Sequence, residues 1–407
     1  MENKNMRVPY AQAVYGEEEI NAVVEVLKDP LKISPGIKVK EFETEISNTF
    51  GKKHGIMVNS GSSANLLAVE SLRPESGDEV ITPVLTFGTT VAPIIQKGVK
   101  PIFVDVIPGT YQIDIAQIES AISPKTKALM IPSLLGNISE MDTLQEIAKK
   151  HNLILIEDSA DTLGATYKGR PTGEYSDIST TSFYASHIIT AAASGGMVMA
   201  HNDEVADRIK VLASWGRSST LFGNHEQSED INKRFAGTID DIPYDAKFVF
   251  SEIGYNFQPN EIAAAFGLEQ LKRLPGFTEK RVAHFSRLIN FFVRFEEYFV
   301  LPIQHKDVKT NWLAFPLTIK KGAPFTRGEI TRHLEESNIQ TRPIFTGNIL
   351  RQPAYKHLTQ YQLTKEFPIA DDIMMNGFVI GCHHGLIAEQ LDYLEYTIEA
   401  FIKSKQG

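Results

Sequence analysis

Apolar and polar positions fall into short blocks, and the spacing inside each block separates helices from strands. Ile20, Val23, Val24 and Leu27 recur at helical spacing behind an acidic start, Glu17-Glu18-Glu19, which predicts a helix over residues 16–27. Phe42, Ile46 and Phe50 mark a second helix over 39–50. Short apolar runs then predict strands at 55–58, 79–82, 101–106, 128–132 and 153–156. Helical patterns begin at Leu66 and cover 91–97, 113–122 and 142–151. A β-branched and aromatic run over 178–184, a return strand at 195–200 and a helix at 203–214 follow. Residues 218–243 are polar and without periodicity, which reads as a long loop. Helices are expected at 261–274 and 278–298, then strands at 312–319 and 378–381 mixed with helices at 327–337 and 389–404.

Strands alternating with helices predict an α/β fold with a mostly parallel sheet covered by helices. A chain of 407 residues exceeds the usual size of one core, so a large domain over 1–275 and a smaller α/β domain over 276–407 are expected. In such sheets ligands collect at the carboxyl ends of strands. The Ser60–Ser63 turn, Thr86-Phe87-Gly88 and Asp158 all fall at such ends.

Composition narrows the function classes. The chain is 42% hydrophobic and 22% charged, ordinary for a soluble globular protein. A formal net charge of −9 with no long basic run argues against nucleic acid as a partner. One cysteine, Cys382, excludes an internal disulfide framework and a cysteine-ligated iron–sulfur cluster within one chain. Residues 1–7 are polar and no apolar run reaches membrane-spanning length, so no membrane association and a cytoplasmic location are expected.

Four places carry candidate chemistry. The strand-turn-helix at Asn59-Ser60-Gly61-Ser62-Ser63-Ala64-Asn65 presents free backbone N–H groups and hydroxyls, which suits an anion; a simple capped turn is the alternative. Asp158 ends a buried apolar strand, where a carboxylate needs a partner, either a helix cap or the ring nitrogen of a cofactor. Phe87 is placed to stack on a ring or to fill core, and Ser182 to contact a phosphate or to end its strand. The run Ser182-Phe183-Tyr184-Ala185-Ser186-His187 delivers a histidine just before a small-residue tract ending at Gly195-Gly196. Cys382-His383-His384 are three adjacent residues with poor ligand geometry, and no metal is expected there.

Taken in order, Gly-Ser-Ser-Ala-Asn, Thr-Phe-Gly, Glu-Asp-Ser-Ala-Asp and Ser-Phe-Tyr-Ala-Ser-His resemble the DegT/DnrJ/EryC1/StrS sugar aminotransferase family. These are pyridoxal 5'-phosphate (PLP) enzymes of fold type I, the aspartate-aminotransferase architecture. The resemblance runs from Val8-Pro9-Tyr10 through Gly254-Tyr255-Asn256-Phe257 to Thr341-Arg342-Pro343 and Arg351-Gln352-Pro353. His187 stands where the family's cofactor lysine is expected. That substitution, with Asp158-Ser159-Ala160-Asp161, is similar to the branch of 3-dehydratases acting on nucleotide-linked 4-keto-6-deoxyhexoses, of the colitose-pathway type.

The resemblance implies a set of roles. Asp158 pairs the pyridine nitrogen, Phe87 stacks on the ring, and Gly61, Ser62 and Ser182 hold the phosphate. Asp161 lies near the cofactor hydroxyl, and Asn256 reaches the phosphate of a neighbouring subunit, so a homodimer with active sites at the interface is implied. Trp215, Arg217 and Arg342 are candidate substrate contacts; the bidentate fork of Arg342 suits a donor carboxylate or a diphosphate, and a surface salt bridge is its plain alternative. Imidazole cannot tether the cofactor covalently as lysine does. His187 is then the proton carrier, with PLP and its amine form pyridoxamine 5'-phosphate (PMP) as cofactor, glutamate as amino donor and a nucleotide-sugar as substrate. The cysteines that one dehydratase branch uses for an iron–sulfur cluster are absent after Trp215-Gly216-Arg217, so no cluster is expected. Ala193-Ser194-Gly195-Gly196 stands where other branches carry a glutamate-containing Gly-Glu-Gly-Gly. An aminotransferase that stops at the amino sugar and a non-catalytic nucleotide-sugar-binding homologue are the alternatives.

Overall fold

The computed structural model describes residues 6–223, 229–362, 364 and 366–406. Residues 1–5, and 224–228 of the expected loop, lie outside these. Seven strands form the central sheet: β1 (His54–Val58), β2 (Glu79–Pro83), β3 (Lys100–Val104), β4 (Thr126–Pro132), β5 (Ile154–Asp158), β6 (Ile178–Ser182) and β7 (Gly196–Ala200). Their spatial order is β1-β7-β6-β5-β4-β2-β3. Strands β2 to β6 pair in parallel, and β7 inserts antiparallel between β6 and β1. The α/β class and the mostly parallel sheet expected from the alternation are therefore present. Buried β-branched and aliphatic runs such as Leu155-Ile156 and Leu129-Met130-Ile131 explain why the strands read as continuous apolar blocks: both sheet faces are covered.

The covering helices are α1 (Glu17–Leu27), α2 (Ile37–Thr49), α3 (Gly61–Ser71), α4 (Gly88–Gln96), α5 (Met141–His151), α6 (Asp203–Ala213) and α7 (Glu261–Phe292). Two buried carboxylates dock the first two helices onto α7. Glu261 accepts the backbone N–H groups of Gly36, Lys38 and Val39, each at 2.8 Å, at the start of α2. Glu19 accepts from Gln270 at 2.6 Å and from Arg273 at 3.0 Å. Each charge is buried only where donors surround it.

Three expectations change. The helix expected over 113–122 shrinks to a 3-10 turn and Ile118–Ala121: Asp114, in an extended conformation, caps the 3-10 turn Ile115–Gln117 by accepting the Ala116 N–H, so helical geometry begins only after it. Within 218–243 the described residues form a 3-10 turn (Ser218–Phe222), a short helix (Ile231–Arg234) and a hairpin pairing Gly237–Ile239 with Ile242–Tyr244. Asp240 and Asp241 turn that hairpin with φ of 49° and 65°, a two-residue turn whose Asp-Asp lacks the usual glycine signal. The two helices expected around 275 are one, α7, with Pro275 inside it.

Beyond α7 a four-stranded antiparallel sheet holds β8 (Phe299–Val300), β9 (Phe315–Ile319), β10 (Thr341–Pro343) and β11 (Gly377–Ile380) in the order β8-β9-β11-β10. The early part of α7 packs Ala263, Ala264 and Leu274 into a cluster with Phe42 and Met197, and its later part packs Leu288, Phe291 and Phe292 into a cluster that joins Val84 and Phe103 to Phe315 and Phe378. We propose that α7 is the connector between units 1–275 and 276–407. The small unit reaches back over the large sheet: Ile349 N–H donates to the Val84 carbonyl at 3.1 Å, and the Thr346 hydroxyl to the Thr86 carbonyl at 2.6 Å. These bonds carry residues 342–355 over the carboxyl ends of β2 and β5.

Candidate active site

A cavity of about 880 Å³ opens at the carboxyl ends of β1, β2, β5 and β6, under the segment from the small unit. The strand ends deliver its chemistry. After β1, Ser60 caps α3: its Oγ accepts the Ser63 N–H at 3.1 Å, and the first-turn residues Gly61 and Ser62 line the cavity. Gly61 packs against the end of β6. A Cβ there would lie 2.6 Å from the Cβ of Ser182, so only a glycine lets backbone and hydroxyl meet. Gly61, Ser62 and Ser182 therefore line one part of the cavity, where a helix N-terminus and hydroxyls suit an anion such as a phosphate.

Asp158 ends β5 and is buried. Burial pushes its carboxyl upward, while Thr90, Asn65 and the Ala160 N–H oppose this as donors. Phe87, the residue before α4, is 52% exposed on the cavity side and meets Phe345 edge-on at 5.9 Å. An anion seat, a carboxylate for a protonated ring nitrogen and an aromatic face for a flat ring match a phosphorylated pyridine. The residues present fit PLP or PMP.

His187 follows β6 on a turn that lines the same cavity. Its Nδ1 lies 2.5 Å from the Ala160 carbonyl, which only accepts, so Nδ1 carries the hydrogen and Nε2 is the basic nitrogen. Burial and the nearby Arg281 guanidinium pull the imidazole down to about 4, so it is neutral near pH 7. Asp161 sits 3.8 Å from Nδ1 and accepts the Leu135 N–H at 2.9 Å; burial, with Asp158 nearby, pushes its carboxyl up to about 7. Among the described residues that line the cavity, none is a lysine.

Of the residues singled out in the sequence, Gly61, Ser62, Phe87, Asp158, Asp161, Ser182, His187 and Arg342 all line this cavity. Arg342 is half-exposed; its guanidinium donates to the Thr341 carbonyl at 2.6 Å, lies 5.8 Å from the Tyr10 ring and is 3.8 Å from Glu335. Asn256, Trp215 and Arg217 do not line it. Asn256 is exposed and bridges Ser214, and the Arg217 guanidinium stacks over the Trp215 ring at 4.1 Å. His383 and His384 are also elsewhere engaged. His383 Nε2 donates to the Pro9 carbonyl at 3.1 Å, and His384 stacks on Phe277 and accepts from Arg281 at 3.1 Å. No group of three or more metal-ligating residues occurs among the described residues. No described helix is long and apolar enough to cross a membrane.

The sequence reading assigned no role to Asn65, Thr90, Tyr10 or Tyr355, which also line the cavity. Asn65 had a readable signal: an amide between Ala64 and the apolar run Leu66 to Val69. Tyr10 had none. It comes from the N-terminal segment, held in place where Val8 pairs with Ile339 and the Tyr10 N–H donates to Gln340 at 3.1 Å.

Residues 14–399 match the model of the DegT/DnrJ/EryC1/StrS aminotransferase family. The lipopolysaccharide biosynthesis protein RfbH of Salmonella typhimurium is 38% identical over 404 residues, covering 97% of this chain and 91% of that protein. GDP-4-keto-6-deoxy-D-mannose 3-dehydratase of Yersinia pseudotuberculosis is 32% identical over 395 residues, covering 95% of this chain and 96% of its own length. The structure of the E. coli GDP-4-keto-6-deoxy-D-mannose-3-dehydratase with bound hydrated PLP superposes with a TM-score of 0.84 at 29% identity, over 97% of this chain and all of the other.

Proposed function

The chain belongs to the DegT/DnrJ/EryC1/StrS aminotransferase family, and from that membership we propose that it is a PLP/PMP-dependent 3-dehydratase. It removes the C3 hydroxyl of a nucleotide-linked 4-keto-6-deoxyhexose, with glutamate as amino donor, on the way to a 3,6-dideoxysugar. The observation that carries this reading is the neutral His187, its Nε2 basic, in a cavity whose described lining has no lysine. The 3-dehydratases among the relatives support the same choice of reaction.

The bound cofactor supplies an amine for the sugar's C4 carbonyl and a ring that accepts electrons. Gly61, Ser62 and Ser182 hold its phosphate, Phe87 covers one ring face, and Asp158 faces the ring nitrogen as an anion. Asp161 lies toward the ring hydroxyl. With no covalent tether, these contacts alone retain the cofactor between turnovers. His187 Nε2 takes up a carbon-bound proton and, once protonated, gives a proton to the oxygen leaving C3. The Ala160 carbonyl keeps the imidazole in the tautomer this needs. Arg342 binds an anionic group of the donor or of the nucleotide-sugar.

We propose a cytoplasmic homodimer in which Asn256, with Trp215 and Arg217 beside it, completes the partner's site. That assignment accounts for these residues being absent from the cavity of their own chain.

Incubation with PLP, glutamate and a nucleotide-linked 4-keto-6-deoxyhexose tests the reading. Ammonia release and a sugar product lacking the C3 oxygen are expected. An amino sugar retaining that oxygen identifies an aminotransferase, and neither product with any such sugar identifies a non-catalytic homologue.

A further inference from the structure

Asp158 does not meet the cavity with two equivalent oxygens. Its Oδ2 accepts from the Asn65 amide at 2.8 Å and from the Thr90 hydroxyl at 2.8 Å. Its Oδ1 accepts only the longer 3.2 Å bond from the Ala160 N–H among the protein donors around it. The Asn65 amide is itself oriented. Its Nδ2 also donates to the Thr89 carbonyl at 3.2 Å, and its Oδ1 accepts the Thr180 hydroxyl at 2.6 Å. A carbonyl and a carboxylate can only accept, so the amide has one orientation that satisfies all three partners. Four elements meet here: α3 brings Asn65, α4 Thr90, β5 Asp158, and β6 Thr180, whose backbone pairs with Asp158 in register. Asn65, Thr90, Asp158 and Thr180 are all buried.

We infer that Asn65 and Thr90 are positioning residues: they saturate Oδ2 of Asp158, leave Oδ1 as the acceptor for the ring nitrogen, and hold the carboxylate as the anion. The inference rests on the reading of Asp158 as the ring-nitrogen partner and deepens it. The physical reason is a competition for one proton. A carboxylate and a pyridine nitrogen facing each other in a dry site share a proton. The pair is either charged, with hydrogen on nitrogen, or neutral, with hydrogen on oxygen. Burial favours the neutral pair, and donors to the second carboxylate oxygen favour the charged one. The cofactor is an electron sink only in the charged arrangement. Thr180 acts one step further out, since it fixes which end of the Asn65 amide faces Asp158.

The test uses the full-length protein freed of cofactor and refilled with PMP carrying ¹⁵N at the ring nitrogen. In the unaltered protein the ring resonance is expected at the pyridinium position at neutral pH. Asn65→Leu and Thr90→Val should each move it toward the neutral-pyridine position and weaken PMP binding about tenfold, the effect of one lost donor to a charged acceptor. Thr90→Ser keeps the hydroxyl and should keep the resonance. If Asn65→Leu and Thr90→Val bind PMP with the unaltered resonance while Asp158→Asn moves it, the inference is overturned, whatever the variants do to melting temperature. If Asp158→Asn also leaves the resonance unmoved, it is the reading of Asp158 that fails. Should Asn65→Leu not fold, Thr90→Val against Thr90→Ser carries the same decision.

Discussion

Replacing His187 by glutamine separates the two properties the structure gives this residue. The amide keeps much of the imidazole's reach, and one N–H can still donate to the Ala160 carbonyl, but Nε2 of glutamine is not basic. The anion seat, Asp158 and Phe87 are untouched, so PMP affinity should stay within about threefold. Loss of a positioned proton carrier lowers turnover by about 10²–10⁴. The same substitution has a stability signature. His187 has its proton affinity depressed in the folded protein, from an ordinary 6.5 to about 4. Its contribution to stability is therefore fully present above pH 6.5 and is lost as pH falls through the window toward 4, where the unfolded chain takes up a proton the native state refuses. With the side chain 16% exposed and partly hydrated, the loss is of order 2 kcal/mol. The glutamine variant lacks this limb. Ammonia release with mass spectrometry of the sugar reads the first effect, and urea midpoints at pH 7 and pH 4.5 read the second. A variant that retains turnover within a few-fold of the parent would refute the assignment of the proton carrier. A variant whose urea midpoint falls as steeply with acid as the parent's would refute the buried neutral imidazole.

Other consequences follow from single contacts. Borohydride treatment of the PLP-loaded protein should leave the chain mass unchanged, because imidazole forms no reducible link; a mass gain of one cofactor would contradict the role of His187. Gly61→Ala drives a Cβ to within 2.6 Å of the Ser182 Cβ and should lower PLP affinity at least about tenfold in equilibrium dialysis; unchanged affinity would remove the anion seat from the cofactor site. Gly216→Ala places a Cβ 1.8 Å from the Glu252 carbonyl oxygen at a φ of 82°, and should destabilise by about 2 kcal/mol or more in chemical denaturation. Arg342→Gln should raise KM for glutamate or the nucleotide-sugar with little change in melting temperature, since its contacts are half-exposed: the adjacent Thr341 carbonyl at 2.6 Å, the Tyr10 ring at 5.8 Å and Glu335 at 3.8 Å; an unaltered KM for both would take Arg342 out of the site.

Much of the fold was readable because its signals are local. The apolar runs of β2 to β6, the helical spacing of α1 and α2, and the small-residue start of α3 are each patterns within about a dozen residues, and those elements form close to where the pattern puts them. Where a local signal was weak, the reading failed for the same reason: Asp240-Asp241 turns a hairpin without a glycine, and the apolar spacing over 113–122 yields a 3-10 turn and one helical turn rather than a full helix.

The site divides along the same line. By itself the sequence determined that a glycine-serine turn, an aromatic residue, a strand-end aspartate and a histidine in a lysine's place occur in one order along a β-α alternation. Strand ends in such a sheet must converge, so the convergence of Ser62, Phe87, Asp158 and His187 was implied. Only the tertiary structure decided which nitrogen of His187 is basic, because that depends on the Ala160 carbonyl 27 residues away. Only packing decided that Asp158 offers one oxygen rather than two, because its donors come from 93 and 68 residues distant and from different helices. Periodicity reports which face of an element is buried; it carries no information about which polar groups meet there, since strand register and helix docking set those pairings across the whole chain.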